Sequence, residues 1–211
     1  MRLTTSGNAR NVSGAVVGRI TTQNLPHAER SEYIRFLPQG EGVAGDFAGY
    51  RAVLSHDDVT TDVPVVDRLR ESDHFTHGDV VVMEGGTGFV RSLYRPYERH
   101  HSLFVTERCS SNCLMCSQPP KDKDDVEALT KRNQELIRLM SPAPAYLTIT
   151  GGEPTELQSL EVVMYPYSRR RRCALLTPGL LSRRQFFPTR LSRRPRQFRR
   201  KNQDARLHRY G

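Results

Sequence analysis

The sequence lacks any run approaching the roughly 18 consecutive apolar residues of a membrane-spanning helix. Its opening, MRLTTSGNARNVSG, has no apolar core of signal-peptide length either. A soluble, cytoplasmic protein with no membrane partner is therefore expected. Cysteine is scarce: four in 211 residues, three of them within eight positions, is not the pattern of a secreted disulfide framework. In a reducing compartment such bunching points to metal binding or catalysis.

Acidic residues are nearly missing from one region only. Residues 162–211 hold fourteen Arg and one Lys against Asp204 alone, a balance of +14, so that of the chain's +9 the first 161 residues contribute −5. A basic average would ordinarily suggest nucleic acid or an anionic surface. Here that inference stops at the tail, and nucleic acid is not expected as a partner of the body. The tail also has no sustained period of two or 3.6, and prolines and glycines interrupt it, so it is expected to be disordered.

From Ser13 to Tyr94, short β-branched runs alternate with turn residues: GAVVGRI, EYIRFL, YRAVLS, DVPVVDRL, GDVVVME and GFVRSLY. They predict a small β-rich domain over residues 1–99. Gly85-Gly86-Thr87-Gly88 separates the last two runs. No Lys-Ser/Thr follows these glycines and no helical pattern begins there, so they read as a hairpin loop and not as a phosphate cradle.

A different rhythm runs through residues 100–161. A strand is expected over 102–106, then a cysteine-bearing loop, then a helix in DDVEALTKRNQELIRLM, where Val126, Leu129, Leu136, Ile137 and Met140 recur at helical spacing. Asp124 with Glu127 fits an N-terminal capping pattern, and Asp122 and Asp125 read as further helix-start residues; Ser141-Pro142 ends the helix. A second strand over 145–150, with Tyr146 and Ile149 as core residues, is closed by GGEPTE. Strand, loop, helix, strand is a βαβ unit with parallel strands.

The loop between these elements, ERCSSNCLMCSQPP, spaces Cys109, Cys113 and Cys116 as C-x3-C-x2-C. Thiolates this close can wrap a soft centre such as zinc, Cu(I) or an iron–sulfur cluster. Three ligands leave one iron of a four-iron cluster open to a substrate or cosubstrate. Zinc is the alternative, with His100 or His101 as a fourth ligand, but the second distant C-x2-C pair usual for zinc is absent. Both histidines read instead as solvent-exposed residues at the start of the strand. Gln118 and Lys121, just past the cysteines, read as solvated loop residues with substrate contact as the alternative.

C-x3-C-x2-C after one strand, with Gly151-Gly152-Glu153-Pro154 after the next, resembles the radical S-adenosylmethionine enzymes. More narrowly, HHSLFVTERCSSNCLMCSQPPK followed by LTITGGEPT is similar to the His-Xaa-Ser system radical S-adenosylmethionine maturase group. The resemblance runs from about residue 10 to 157, with its specific motifs between 100 and 156. It implies an α/β fold: the start of a partial (β/α) barrel, preceded by the β-rich domain and followed by the Arg-rich tail. It also implies a [4Fe-4S] cluster on Cys109, Cys113 and Cys116, and S-adenosyl-L-methionine bound by Gly151, Gly152 and Glu153. Met115 stands where the family often has an aromatic residue near the adenine. The implied activity is reductive cleavage of the cosubstrate and hydrogen abstraction from a His-Xaa-Ser repeat peptide or protein, with an electron donor and a companion maturase as further partners.

A βαβ repeat needs about 30 residues, so six units need roughly 180, and residues 102–161 suffice for about two. The Arg bias of 162–211 is what GC-rich coding sequence yields in a wrong frame. The expectation is a maturase truncated by a frameshift near residues 157–162, with impaired turnover. The alternative is an inactive fragment, or a cluster- or zinc-binding module, whose basic tail binds nucleic acid through phosphates.

Overall fold

The structure, a computed structural model, describes residues 3–41, 45–110, 116 and 121–154. The fold is α/β, with a mixed β-sheet. All six strand-like runs of the first hundred residues are strands: Ala15–Thr21, Tyr33–Leu37, Ala52–Ser55, Val65–Asp67, Val80–Glu84 and Phe89–Tyr94. Two short strands precede them, Thr4–Ser6 and Asn8–Arg10. In chain order these eight are β1 to β8. Val81 and Met83 point one way and Val80 and Val82 the other, as the two-residue period of a strand requires.

The hydrogen-bonding order is β1-β8-β7-β3-β4-β5-β6-β2. Strands β3 to β6 run parallel to one another, and the remaining pairs are antiparallel. Only Gly7 separates β1 from β2, yet they occupy opposite ends of this order. One continuous stretch of chain therefore pairs with β8 through its first half and with β6 through its second, closing the sheet on itself. Closure leaves no open edge among these strands. Ile20, Ile34, Phe36, Ala52, Leu54, Val66, Val81, Met83 and Val90 form one buried cluster. On the opposite face, Leu37, Val53 and Val65 pack with Phe47 and Val59 from the connections.

The glycine loop joins β7 and β8 as an antiparallel hairpin, as its sequence implies. Beyond it come β9 (His100–Phe104), the helix α1 (Val126–Leu139) and β10 (Tyr146–Thr150), with β9 and β10 paired in parallel. Helix α1 lays Leu136, Ile137 and Leu139 against Val17, Val80, Val82 and Tyr94 of the closed sheet and against Leu103 and Leu147 of β9 and β10. Each such side chain contributes about 1.5–3 kcal/mol on burial. Barrel and βαβ unit thus share one apolar cluster. Among the described residues no helix is long and apolar enough to cross a membrane.

One margin of the seam between α1 and the closed sheet is tied by charge. Arg51 pairs with Glu135, Glu135 with Arg138 at 2.9 Å, and Arg138 with Glu32, so acids and bases alternate. Arg19 donates to the carbonyl of Leu139 at 2.6 Å, and the Tyr94 hydroxyl donates to that of Pro142. Arg138 first, and Arg51 after it, hold the Glu135 carboxyl down to about 2.

Three expectations need correction. The helix cap is Asp125, not Asp124, and its carboxylate makes no capping bond to the helix. Instead it accepts from the Thr106 hydroxyl at 2.8 Å and the Glu107 N–H at 2.9 Å, because the helix start abuts the end of β9. His101 is buried, not exposed: its ring lies 4.6 Å from that of Tyr94, and its Nε2 is 3.0 Å from the Glu98 carbonyl oxygen. Tyr146 is half-buried instead of core, stacked on the exposed His100 across the strand pair, while its neighbour Leu147 enters the cluster. The residue facing the core is set by strand phase, and residues 146 and 100 are in register on the same side.

Candidate metal centre

In a parallel strand pair both carboxyl ends lie on one side, and ligands of α/β proteins gather there. β9 ends at Phe104, five residues before Cys109, and β10 ends at Thr150, one before Gly151. Two motifs more than thirty positions apart are brought into contact. The Gly152 N–H donates to the Thr106 carbonyl at 2.8 Å, and the Glu153 N–H to the Arg108 carbonyl at 2.9 Å. The glycines are required for this approach. A Cβ on Gly152 would lie 2.2 Å from the Arg108 oxygen, and one on Gly151 would lie 2.6 Å from that of Thr106. Their lack of side chains is thus explained inside the chain, by the seating of GGEP on the base of the cysteine loop.

The loop has a closed stem. The Cys109 N–H donates to the Lys121 carbonyl at 2.9 Å, joining the two ends of the segment that carries Cys113 and Cys116. Glu107 meets Lys121 at 2.6 Å and Lys123 at 2.5 Å, and those ammonium groups lower its carboxyl to about 2. Arg108 approaches Asp122 at 3.3 Å. Asp125 fixes Thr106 and Glu107 from the helix, and the Val105 N–H donates to the Thr150 carbonyl at 2.9 Å. The base of the loop is thereby held from the start of α1, from β10 and from residues 121–123 on its returning side.

Cys109 is half-buried and Cys116 exposed. Cys113, Met115 and Gln118 lie outside the described residues, as does the basic tail. Among the described residues, no group of three or more His, Cys, Asp or Glu gathers into a metal-holding set. Gly151, Gly152, Glu153 and Pro154 are half-buried and line the turn beside Arg108. Lys121, read from sequence as a solvated loop residue, belongs to the stem. The stem residues Thr106, Glu107 and Lys123 escaped the sequence reading, and Asp125 reads there only as a helix-start residue. Their signal was the charge complementarity of TER before the first cysteine and KDKDD after the last.

No protein-family model matches the chain, and no curated protein and no solved structure matches it.

Proposed function

We propose that the chain derives from a radical S-adenosylmethionine peptide maturase, with Cys109, Cys113 and Cys116 as ligands of a [4Fe-4S] cluster. The supporting observation is the contact between the GGEP turn and the base of the cysteine loop at the carboxyl ends of β9 and β10. The donor chemistry fits: three thiols on one loop whose ends are joined suit a soft, sulfur-ligated centre and leave one iron without a protein ligand. When bound, such a cluster supplies the electron that cleaves S-adenosylmethionine reductively.

The chain's own residues perform the remaining tasks. The Glu107–Lys121–Lys123 clamp and the Cys109 N–H bond to Lys121 preorganise the loop, lowering the entropy lost when its thiolates converge. Glu153 would offer negative charge to the cosubstrate's ammonium, in the turn that Gly152 seats against Arg108. A His-Xaa-Ser repeat peptide would be the substrate. On this reading β9, α1 and β10 are the first unit of a partial (β/α) barrel.

Anaerobic reconstitution tests the proposal. Purified chain should take up about four irons, turn brown, and release 5′-deoxyadenosine from S-adenosylmethionine when reduced with dithionite. Turnover is expected to be weak, because two parallel strands give little enclosure against water. Uptake of one zinc in preference to iron, with no visible absorbance, would overturn the assignment.

A further inference from the structure

Helix α1 begins with an aspartate that does not cap it. A carboxylate at the residue preceding a helix ordinarily accepts from the second or third helical N–H, and so stabilises the helix start. Asp125 occupies that position, and the bond from the Leu129 N–H to its carbonyl at 3.0 Å opens the helix, but its side chain makes no capping bond. Both carboxylate oxygens are turned toward the end of β9 instead. Oδ1 accepts from the Thr106 hydroxyl at 2.8 Å, and Oδ2 from the Glu107 N–H at 2.9 Å. A local interaction has been given up for two that span nineteen and eighteen positions. Thr106 passes the constraint on. It is fully buried; its hydroxyl oxygen also accepts from the Arg108 N–H at 2.9 Å, and its carbonyl accepts from the Gly152 N–H at 2.8 Å. The Arg108 carbonyl in turn accepts from the Glu153 N–H at 2.9 Å. A continuous run of hydrogen bonds thus leads from the start of α1, through Thr106 and Arg108, to the GGEP turn. Further along the helix, the buried Asn133 amide donates to the Phe104 carbonyl at 2.9 Å, so that α1 holds the same end of β9 at a second point.

We infer that Asp125 is a positioning residue: through Thr106 it sets where the chain entering Cys109 lies relative to the GGEP turn, before any metal arrives. For its consequence at the cluster this rests on the reading proposed above, whereas the constraint itself belongs to the metal-free chain. The residue type suits the task. At this side-chain length a carboxylate offers two acceptor oxygens, Asn offers one, and Ser would return to ordinary capping. Because the ends of both motifs are fixed to one helix residue, less order has to be imposed when the thiolates converge on a common centre.

The test compares Asp125→Ser and Asp125→Asn with the unaltered full-length chain. In the metal-free protein, amide hydrogen exchange is read at residues 107, 108, 152 and 153, with the β7 amides as an internal reference. Asp125→Ser keeps a capped helix, so its melting temperature should change little. Exchange at all four amides should nevertheless quicken about tenfold, the effect of losing one charge-assisted hydrogen bond, with Asp125→Asn falling between. Thr106→Val should reproduce the faster exchange, and Thr106→Ser, which keeps the hydroxyl, should not. After anaerobic reconstitution with iron and sulfide, Asp125→Ser should hold fewer irons per folded chain and give a broadened electron paramagnetic resonance signal on reduction, because Cys109 is less firmly placed. Unchanged exchange at 152 and 153, or quickened exchange with an unaltered cluster signal, would overturn the inference. Zinc uptake by the unaltered chain would sink the cluster reading instead, and the exchange data alone would then decide whether Asp125 positions the loop.

Discussion

The molecule contains two glycine-rich turns, Gly85-Gly86-Thr87-Gly88 and Gly151-Gly152, and they do different things with the same missing side chain. The first belongs to the barrel's closure: Gly88 has a φ of +64°, and a Cβ there would lie 2.1 Å from the Gly7 carbonyl oxygen, at the point where β1 passes into β2. The second sits on the stem of the cysteine loop, with the Arg108 and Thr106 carbonyls in the space a side chain would fill. In both, glycine serves close packing of backbone on backbone. What separates them is the neighbour: the first secures a scaffold, the second seats a loop that carries thiols. A glycine-rich turn is therefore weak as a ligand signal by itself, and becomes informative through what it touches.

Substitutions can break this comparison at either turn. The largest loss of stability is expected for Gly88→Ala, about 3 kcal/mol from combined backbone strain and overlap with Gly7, read as a lowered midpoint in urea. Iron uptake per folded chain should be unaffected. Gly152→Ala should cost less, about 2 kcal/mol, since residues 106–108 lie beyond the end of β9 at Phe104 and not within a sheet, but it should depress iron uptake in the reconstituted protein. If both variants lose stability and iron in the same proportion, the two turns are not functionally distinct.

Smaller effects sharpen the picture. Glu135 titrates near 2 in the folded chain against an ordinary 4.5, because Arg138 and Arg51 favour its charged form. A lowered carboxyl pKa stabilises the fold above pH 4.5, and that stabilisation is lost as pH falls toward 2. The difference in melting temperature between the unaltered chain and Glu135→Gln should accordingly shrink below pH 4.5. Glu107→Gln, at a half-buried position whose partners Lys121 and Lys123 are exposed, should lower the melting temperature only slightly, yet slow iron uptake by loosening the loop stem. Gly86→Ala, whose Cβ would meet nothing within 4 Å, serves as the control for the first turn and should stay within about 0.5 kcal/mol.

How far the sequence foretold this depends on the range of each interaction. Helix α1 was legible because Leu136 and Ile137 recur at a helical period, and the β7–β8 hairpin because both strands and their turn are contiguous. β1 and β2 were not: TTS and NAR carry little apolar signal, and their partners lie 55 to 87 positions away. The parallel order of β3 to β6 was hidden too, since its connections are loops with little of the regular helix that announces a crossover. At the site, the thiol spacing and GGEP could be read directly. The stem could not, because Asp125 looks like a helix cap until Thr106, nineteen positions earlier, is seen to donate to it.

Gly7 gives the barrel a particular order of assembly. The strand that β1 and β2 form around it is synthesised before its neighbours β6 and β8, which end 57 and 84 residues later than Arg10, at Asp67 and Tyr94. Until both have been made, this polar heptapeptide has nothing to pair with. Closure of such distant ends carries a large loop entropy cost and slows folding. Residues 4–10 thus act as a latch: cutting this segment away after folding should release β6 and β8 together and reopen the sheet along both edges at once.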